Sequence, residues 1–329
     1  MRYVEDIANL GMPDAEEAGG KGANMGEMVK AQLPVPPGFV VLRDSYLISM
    51  SSAGVSDELN AAHREAMLHA GDPGRFEEMC AKMKALVIKA GMADEVRERI
   101  LTAYRAMGSN PYVAVRSSAT GEDGADASFA GMNETFTNIR GEQDLIEGVQ
   151  NCWASLFGPR VVAYRASRGF SADPAMAVVV QQMIRSDVSF IAFTQDPVGE
   201  RRDHVVLSAA WGLGEALVSG LVTPDHLVVA PDGAVTEYVV GDKQVMVIPE
   251  ASGSGTREAV VPRLMRTRPA VSAAQAAEIA ALARGLAGRF GFAADLEGAI
   301  AAGQIVLFQA RPITTLANVE AVELALVGD

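Results

Sequence analysis

The stretch Val113-Ala114-Val115-Arg116-Ser117-Ser118-Ala119-Thr120-Gly121-Glu122-Asp123, followed by Ser128-Phe129-Ala130-Gly131-Met132, runs an apolar strand into an arginine, hydroxyl side chains and a glycine-studded loop. Those are the parts from which a protein holds a polyphosphate. The guanidinium offers a rigid fork of donors that matches phosphate oxygens. Ser117, Ser118 and Thr120 add neutral donors, and Gly121, Gly124 and Gly131 let backbone N–H groups come close to a ligand. Taken alone, the same residues also read as a strand followed by a polar surface loop, because short motifs recur by chance.

Outward from this stretch, the 329-residue chain is 49% hydrophobic and 21% charged, which supplies a large core and allows one large domain or two or three lobes. A net charge of -13 argues against a binder of duplex nucleic acid, while a local basic cleft still suffices for ATP. With aromatic residues at 6%, no base-stacking platform is evident. Cys80 and Cys152 have no metal-type or redox spacing, so reduced thiols are expected, with Cys152 in a buried helix. The N-terminus lacks a signal-peptide pattern and the apolar runs are too short to span a bilayer, so a cytoplasmic protein without a membrane partner is expected.

Residues 1–20 form a strand-and-loop entry ending in Gly19-Gly20, and Lys21 to Gln32 reads as a helix, apolar at Met25, Met28 and Val29. Leu33-Pro34-Val35-Pro36-Pro37-Gly38 breaks it and leads into a strand. Residues 44–107 carry helical patterning. Strands are expected at 111–116, 134–139, 175–183, 188–194, 204–209, 226–230, 235–240 and 244–249, with helices at 142–155 and 159–168. The nearly continuous apolar run 175–183 marks a strand buried on both faces. Residues 250–268, with Ser252-Gly253-Ser254-Gly255, read as a loop; a helix at 272–290 and strands at 295–301 and 304–309 follow.

Several separated segments agree on one family. They are Gly19-Gly20-Lys21-Gly22-Ala23-Asn24-Met25-Gly26-Glu27-Met28, Val35-Pro36-Pro37-Gly38-Phe39, the Arg116 loop, Phe193-Thr194-Gln195-Asp196-Pro197, Trp211-Gly212-Leu213-Gly214-Glu215 with Val218-Ser219-Gly220 and Pro224-Asp225, Asp295-Leu296-Glu297, and Gln309-Ala310-Arg311-Pro312-Ile313-Thr314. In this order, from about residue 3 to residue 315, they resemble the ATP-binding region of phosphoenolpyruvate synthase, pyruvate phosphate dikinase and rifampin phosphotransferase. The resemblance implies an α+β ATP-grasp fold, in which two lobes with mixed or antiparallel sheets and flanking helices sandwich ATP. It also implies phosphoryl transfer from ATP, leaving AMP, to a histidine on a separate swivelling domain, and from there to pyruvate, an antibiotic or another acceptor. The expected division is an N-terminal lobe over 1–183 with the phosphate loop, a C-terminal lobe over 184–315 with the Mg²⁺ and phosphate residues, and a tail over 316–329.

By that resemblance, Lys21, Arg116 and Arg311 are catalytic. Lys21 meets the triphosphate from a helix N-terminus, which itself favours anions; a solvated surface lysine is the plain reading. Arg116 pairs with the phosphates, or else ends its strand in a surface ion pair. Gly131 brings backbone N–H groups to the β/γ region within a loop that closes over the phosphates, or is a turn glycine; Thr135 lies in the same cofactor-binding set. Gln181, Gln182, Met183 and Ile184 pass the adenine, with backbone groups reading the base edge, or form an ordinary buried strand end. Glu297 and Gln309 lie on neighbouring strands of a hairpin with Gly303 in its turn, and offer oxygen ligands to Mg²⁺. Arg311 shares their face by strand alternation and neutralises charge on the transferring group. A structural ion pair of Glu297 with Arg311 is the alternative. Glu215 orients a lysine or a ribose hydroxyl, or caps the helix after Leu213-Gly214. His63, His69, His204 and His226 are scattered and read as structural.

Two positions depart from the family pattern. Phe190 stands where the family usually has a glycine before the Phe-Thr segment, and Gly298 where it usually has an aromatic after the glutamate. Phe190 reshapes the adenine pocket or fills core space, and Gly298 removes packing beside the metal ligand. The family's histidine domain and acceptor domain would follow Thr314, so the chain is expected to work with a histidine-bearing domain or protein supplied in trans. A regulatory nucleotide binder without turnover would bind ATP and form neither AMP nor ADP. An independent ATP-grasp ligase would form ADP only with a small-molecule acid.

Overall fold

The computed structural model describes residues 2–119, 134–170, 173–196, 201–251 and 253–313. The chain divides into two compact units. Unit 1 holds residues 1–27, 37–183 and 252–255; unit 2 holds 28–36, 184–251 and 256–329. One division falls after Met183, and two short segments belong to the opposite unit from the one their sequence position suggests. Pro34 accepts from the Leu307 amide at 2.8 Å, and Asn138 Nδ2 donates to the carbonyls of Gly253 and Gly255 at 3.0 and 2.9 Å. Such pairing to backbone carbonyls leaves no signature in the segment itself.

In unit 1 the chain makes β1 (Val4–Asp6), α1 (Ala15–Lys30, its last three residues counted in unit 2), β2 (Gly38–Val41), α2 (Arg43–Ser52), α3 (Ser56–Leu68), α4 (Pro73–Ala90) and α5 (Asp94–Ala106). It continues through β3 (Val113–Ala119), β4 (Thr135–Ile139), α6 (Glu142–Ser155), α7 (Pro159–Ser167) and β5 (Met176–Gln182). The strands form an antiparallel sheet in the order β1-β2-β5-β3-β4. β5 sits at its centre because its Val178-Val179-Val180 run tolerates burial on both faces, each valine having no exposed surface. Phe39, Val41, Val113, Val115, Val178 and Val180 face the helical core, where α4 adds Phe76, Cys80, Met83 and Val87 at one-face spacing. Asp72 caps α4 and Pro73 occupies its first turn. Cys152 is fully buried in α6, and burial pushes its thiol well above the usual range, so it is inert.

His63 of α3 is 1% exposed, edge-on to Phe157, and its Nε2 has no hydrogen-bond partner among the described residues. Burial, assisted by Arg165 and Arg64 and opposed by Asp173, holds its imidazole down at about 4. The unfolded chain, titrating near ~6.5, therefore binds more protons across this window, and stability falls as pH drops from about 6.5 towards about 4. The loss is on the order of 3 kcal/mol. His63→Leu is expected to flatten that acid limb; urea midpoints at pH 7 and pH 4.5 should separate less in the variant than in the wild type.

Unit 2 contains β6 (Val188–Phe193), β7 (Val205–Trp211), α8 (Glu215–Val218), β8 (Asp225–Val229), β9 (Val235–Val239), β10 (Val245–Pro249), β11 (Thr256–Val260), α9 (Ala273–Phe290), β12 (Ala294–Ala301) and β13 (Gln304–Pro312). An antiparallel sheet runs β13-β12-β6-β7-β8-β9, and β10 and β11 form a separate ribbon. α9 covers one face of the large sheet with Ala276, Ile279, Ala280, Ala283 and Leu286. It opens with a Ser272/Gln275 capping box and stops at Gly291 with φ +75°. The β12–β13 hairpin turns through Ala302 and Gly303 at φ +48° and +79°, the two positive values a tight primed turn requires. β11 was not expected. Both of its faces are largely exposed, so the strand rests on its ladder with β10 and carries no apolar alternation to read.

Asp225, at the start of β8, is wholly buried and holds Lys243, also wholly buried, in an ion pair. The carboxylate also accepts from the Gly241 amide at 3.0 Å, the Ala270 amide at 2.6 Å and the Tyr238 hydroxyl at 3.2 Å, and Lys243 donates to the Gly241 carbonyl at 3.0 Å. A buried pair persists only when its remaining lone pairs and protons are satisfied in this way. Among the described residues no helix is long and apolar enough to cross a membrane.

Candidate functional site

In unit 1 the site residues gather on the sheet face that turns away from the helical core. Arg116 lies opposite Thr135 on one side and Val179 on the other, and Gln181 lies opposite Ala114 and Gly38. Directly paired antiparallel residues share a face, so Arg116, Thr135 and Gln181 project together. Gln181 is buried, Arg116 half-buried and Thr135 exposed.

α1 packs over this face, where Gly22 meets Val40. The helix is broken at Gly19, whose φ of 68° and ψ of 163° lie outside the helical region. The break makes Gly20-Lys21 a second helical start inside α1, so Lys21 opens a helix as its sequence suggests. Its ammonium is shielded from solvent. Gly19 is obligatory here: a Cβ would lie 2.2 Å from Ser118 Oγ and 2.3 Å from the Ser118 carbonyl oxygen.

The hydroxyls of β3 do not serve as expected. Ser117 Oγ donates to the Glu134 carbonyl at 3.2 Å, and Ser118 Oγ donates to the Ala18 carbonyl at 2.9 Å while accepting from the Gly22 amide at 3.3 Å. Both serines are fully buried. They hold the framework of the face, where sequence reading had them donating to phosphate. Thr120 and Gly131, with Gly121 and Gly124, lie outside the described residues.

At the end of β5, the amides of Gln182 and Met183 donate to the carbonyls of Pro37 and Tyr112, each at 2.9 Å. These two amides are therefore engaged by backbone, which leaves the carbonyls and side chains of this segment as its outward groups. Gln182 is exposed, Met183 half-buried, and half-buried Ile184 opens the next part of unit 2.

The second cluster lies in unit 2, on the sheet face away from α9. Across β12 and β13, Asp295 pairs with Arg311 and Glu297 with Gln309. Strand alternation puts all of them on one face. A β-bulge follows at the Glu297/Gly298 junction, where Phe308 is the extra residue. The residue directly across from Arg311 is Asp295: Arg311 Nε donates to Asp295 Oδ2 at 2.8 Å. Asp295 is 7% exposed, and its Oδ1 is buried with no donor among the described residues. Burial pushes the Asp295 carboxyl up, Arg311 pulls it back down, and Glu297 pushes it up. Sequence reading assigned Asp295 no separate role; the signal was its spacing of two from Glu297.

Glu215 begins α8 and accepts from Thr256 Oγ1 at 2.7 Å, so its carboxylate ties α8 to β11. No side chain caps α8.

Phe190 and Gly298 are cross-strand partners. Phe190 is 1% exposed in the core under α9, and a Cβ on Gly298 would lie 2.3 Å from Phe190 Cζ and 2.7 Å from the Val306 carbonyl oxygen. The two positions thus share one space. Phe190 fills core space, and it fills the space that a side chain at 298 would need, directly behind Glu297.

Chemically, unit 1 offers cations on a polar sheet face, and unit 2 offers a carboxylate and a carboxamide side by side with a half-buried ion pair next to them. The oxygen donors suit a hard cation that keeps water and phosphate in its remaining positions. The cations suit an oligophosphate.

The family model described as "Pyruvate phosphate dikinase, AMP/ATP-binding domain" matches residues 15–325. A probable phosphoenolpyruvate synthase of Methanothermobacter thermautotrophicus is 37% identical over 96% of the chain and 46% of its own length. The phosphoenolpyruvate synthase of Pyrococcus furiosus is 34% identical over 96% of the chain and 44% of its own length. A rifampicin phosphotransferase of a Streptomyces species is 36% identical over 96% of the chain and 36% of its own length. The chain spans about half the length, or less, of these curated relatives.

Proposed function

The chain belongs to the AMP/ATP-binding domain family of pyruvate phosphate dikinase, and from that membership we propose that it binds Mg-ATP and is the nucleotide-using component of a dikinase-type phosphotransferase. The observation that carries the proposal is the grouping on β12 and β13: Glu297 opposite Gln309, next to Asp295 opposite Arg311. The all-oxygen donor pair fits Mg²⁺, and the buried, undonated Asp295 Oδ1 adds an acceptor beside it. Glu297 and Gln309 would hold the ion, which when bound would shield phosphate charge.

The fold is read as an ATP-grasp. In unit 1, Lys21 and Arg116 bind phosphate oxygens, with Gly131 and Thr135 in the same set, and Gln181 to Ile184 border the adenine. In unit 2, Arg311 neutralises charge that develops as the phosphoryl group leaves, and the Asp295 carboxylate keeps its guanidinium in one orientation. Glu215 belongs to the same nucleotide-binding set, its carboxylate held by Thr256. The β- and γ-phosphates leave together to a histidine on a separate domain or partner chain, leaving AMP; the γ-phosphate then departs as phosphate to water, and the β-phosphoryl group passes on to pyruvate, an antibiotic or another acceptor. The family match and the partial coverage of the relatives support this division of labour. The enzyme is assigned to the cytoplasm as part of this reading.

Calorimetric titration of the chain with ATP, with and without Mg²⁺, tests the reading. Binding that strengthens with Mg²⁺, followed by transfer of label from β-labelled ATP to a histidine-bearing domain of a relative added in trans, is the expected result. Absence of ATP binding overturns it. Glu297→Gln is expected to lose most of the Mg²⁺ dependence and to weaken Mg-ATP binding by about tenfold, while leaving metal-free ATP binding close to wild type.

A further inference from the structure

The buried hydroxyl of Ser118 has an unusual pair of partners. It donates to Ala18 O and accepts from Gly22 N, one on each side of the break at Gly19. Without it, the interruption would leave both of those backbone groups buried and unpaired, since Ala18, Gly22 and Ser118 are all buried. Ser118 also forms the wall against which Gly19 is pressed, so no other residue type fits at 19 without displacing β3. Two residues before Ser118 on the same strand face stands Arg116; two residues after Gly19 stands Lys21. One hydroxyl thus links the strand that carries one cation to the helical start that carries the other.

We propose that Ser118 is a positioning residue for oligophosphate binding: its hydroxyl fixes the break in α1 and thereby sets Lys21 over the sheet face that presents Arg116. Ser118 touches no ligand in this account and acts through Lys21. The proposal rests on the reading of Lys21 and Arg116 as phosphate contacts. It explains why a serine read at first as a phosphate donor is fully buried, with its lone pair and proton both engaged by backbone.

The test is a double-mutant cycle on the whole chain, with ATP and AMP affinities measured by calorimetry in Mg²⁺. Ser118→Ala should weaken ATP about tenfold and AMP less than about twofold, because only the longer phosphate chain extends to Lys21. In a Lys21→Ala background the same substitution should cost ATP nothing further. Amide exchange at Gly22 provides a readout independent of any nucleotide, and should accelerate in Ser118→Ala as the hydroxyl acceptor is lost. Ser118→Cys keeps a weaker donor and acceptor on a somewhat larger atom; it serves if the alanine variant does not fold, and should fall between wild type and alanine. Equal losses for ATP and AMP, a full loss retained in the Lys21→Ala background, or unchanged exchange at Gly22 would each overturn the proposal. Failure of the underlying reading looks different: wild type would bind no ATP, or Lys21→Ala would bind it as well as wild type.

Discussion

Arg311→Ala is expected to lower Mg-ATP affinity about a hundredfold and, independently of any nucleotide, to destabilise unit 2 by about 2 kcal/mol. The two effects have separate causes. Affinity falls because a guanidinium aimed at an oligophosphate is removed from a partly desolvated face. Stability falls because Asp295, 7% exposed, loses the donor at 2.8 Å that offsets its burial, while its Oδ1 already has none among the described residues. Breaking one partner of a fully buried pair costs roughly 3 to 5 kcal/mol; the Arg311 side chain is 41% exposed, which puts the value lower. The double variant Arg311→Ala with Asp295→Asn separates the effects. It should recover most of the lost stability, since a neutral amide is cheaper to bury, and recover none of the affinity. Chemical denaturation and calorimetry on the same preparations decide it. If the double variant regains ATP binding, Arg311 acts only as a structural counter-ion.

Exchanging Phe190 and Gly298 is expected to show the largest coupling in the molecule. Phe190→Gly alone empties a ring-sized volume in the core under α9 and should cost about 4 kcal/mol or more. Gly298→Phe alone places a ring where even a Cβ meets Phe190 Cζ at 2.3 Å and the Val306 carbonyl at 2.7 Å; it should prevent unit 2 from folding. The double exchange restores one ring to one volume from the opposite strand. It should recover at least half of the loss from Phe190→Gly, a coupling of several kcal/mol. Urea unfolding followed by the near-ultraviolet signal of Trp211 measures this. Simple additivity of the two single variants would show that the ring and the glycine do not share a space.

How much of this was legible in the chain depends on what each feature rests on. β5 could be read because three valines in a row need burial on both faces, and α9 because Ser272, Gln275 and Gly291 mark its ends. The sharing of a face by Gln309 and Arg311 followed from alternation, whereas Glu297 joins them only through the bulge at Phe308. β11 could not be read, because its partner supplies the ladder and its own side chains carry no pattern. The role of Ser118 was likewise hidden: a hydroxyl looks the same in sequence whether it meets a phosphate or a broken helix. Phe190 and Gly298 stood out singly as departures, yet only the strand register of β6 against β12 shows that they answer one another. Counting across the hairpin from its turn sets Asp295 opposite Ala310; the bulge after Glu297, which leaves no mark in the sequence, moves it opposite Arg311.

The knot of Asp225 and Lys243 makes one amine in the molecule a clock. Lys243 exposes none of its side chain, and its ammonium is enclosed by a carboxylate and the Gly241 carbonyl. An acylating reagent can reach it only when β8 and the segment around 241–243 come apart. Under mild reagent, the peptide carrying Lys243 should be modified at a rate set by how often unit 2 opens, long after exposed Lys82 has been consumed. A single mass-spectrometric time course then follows the breathing of unit 2 without any probe having been introduced.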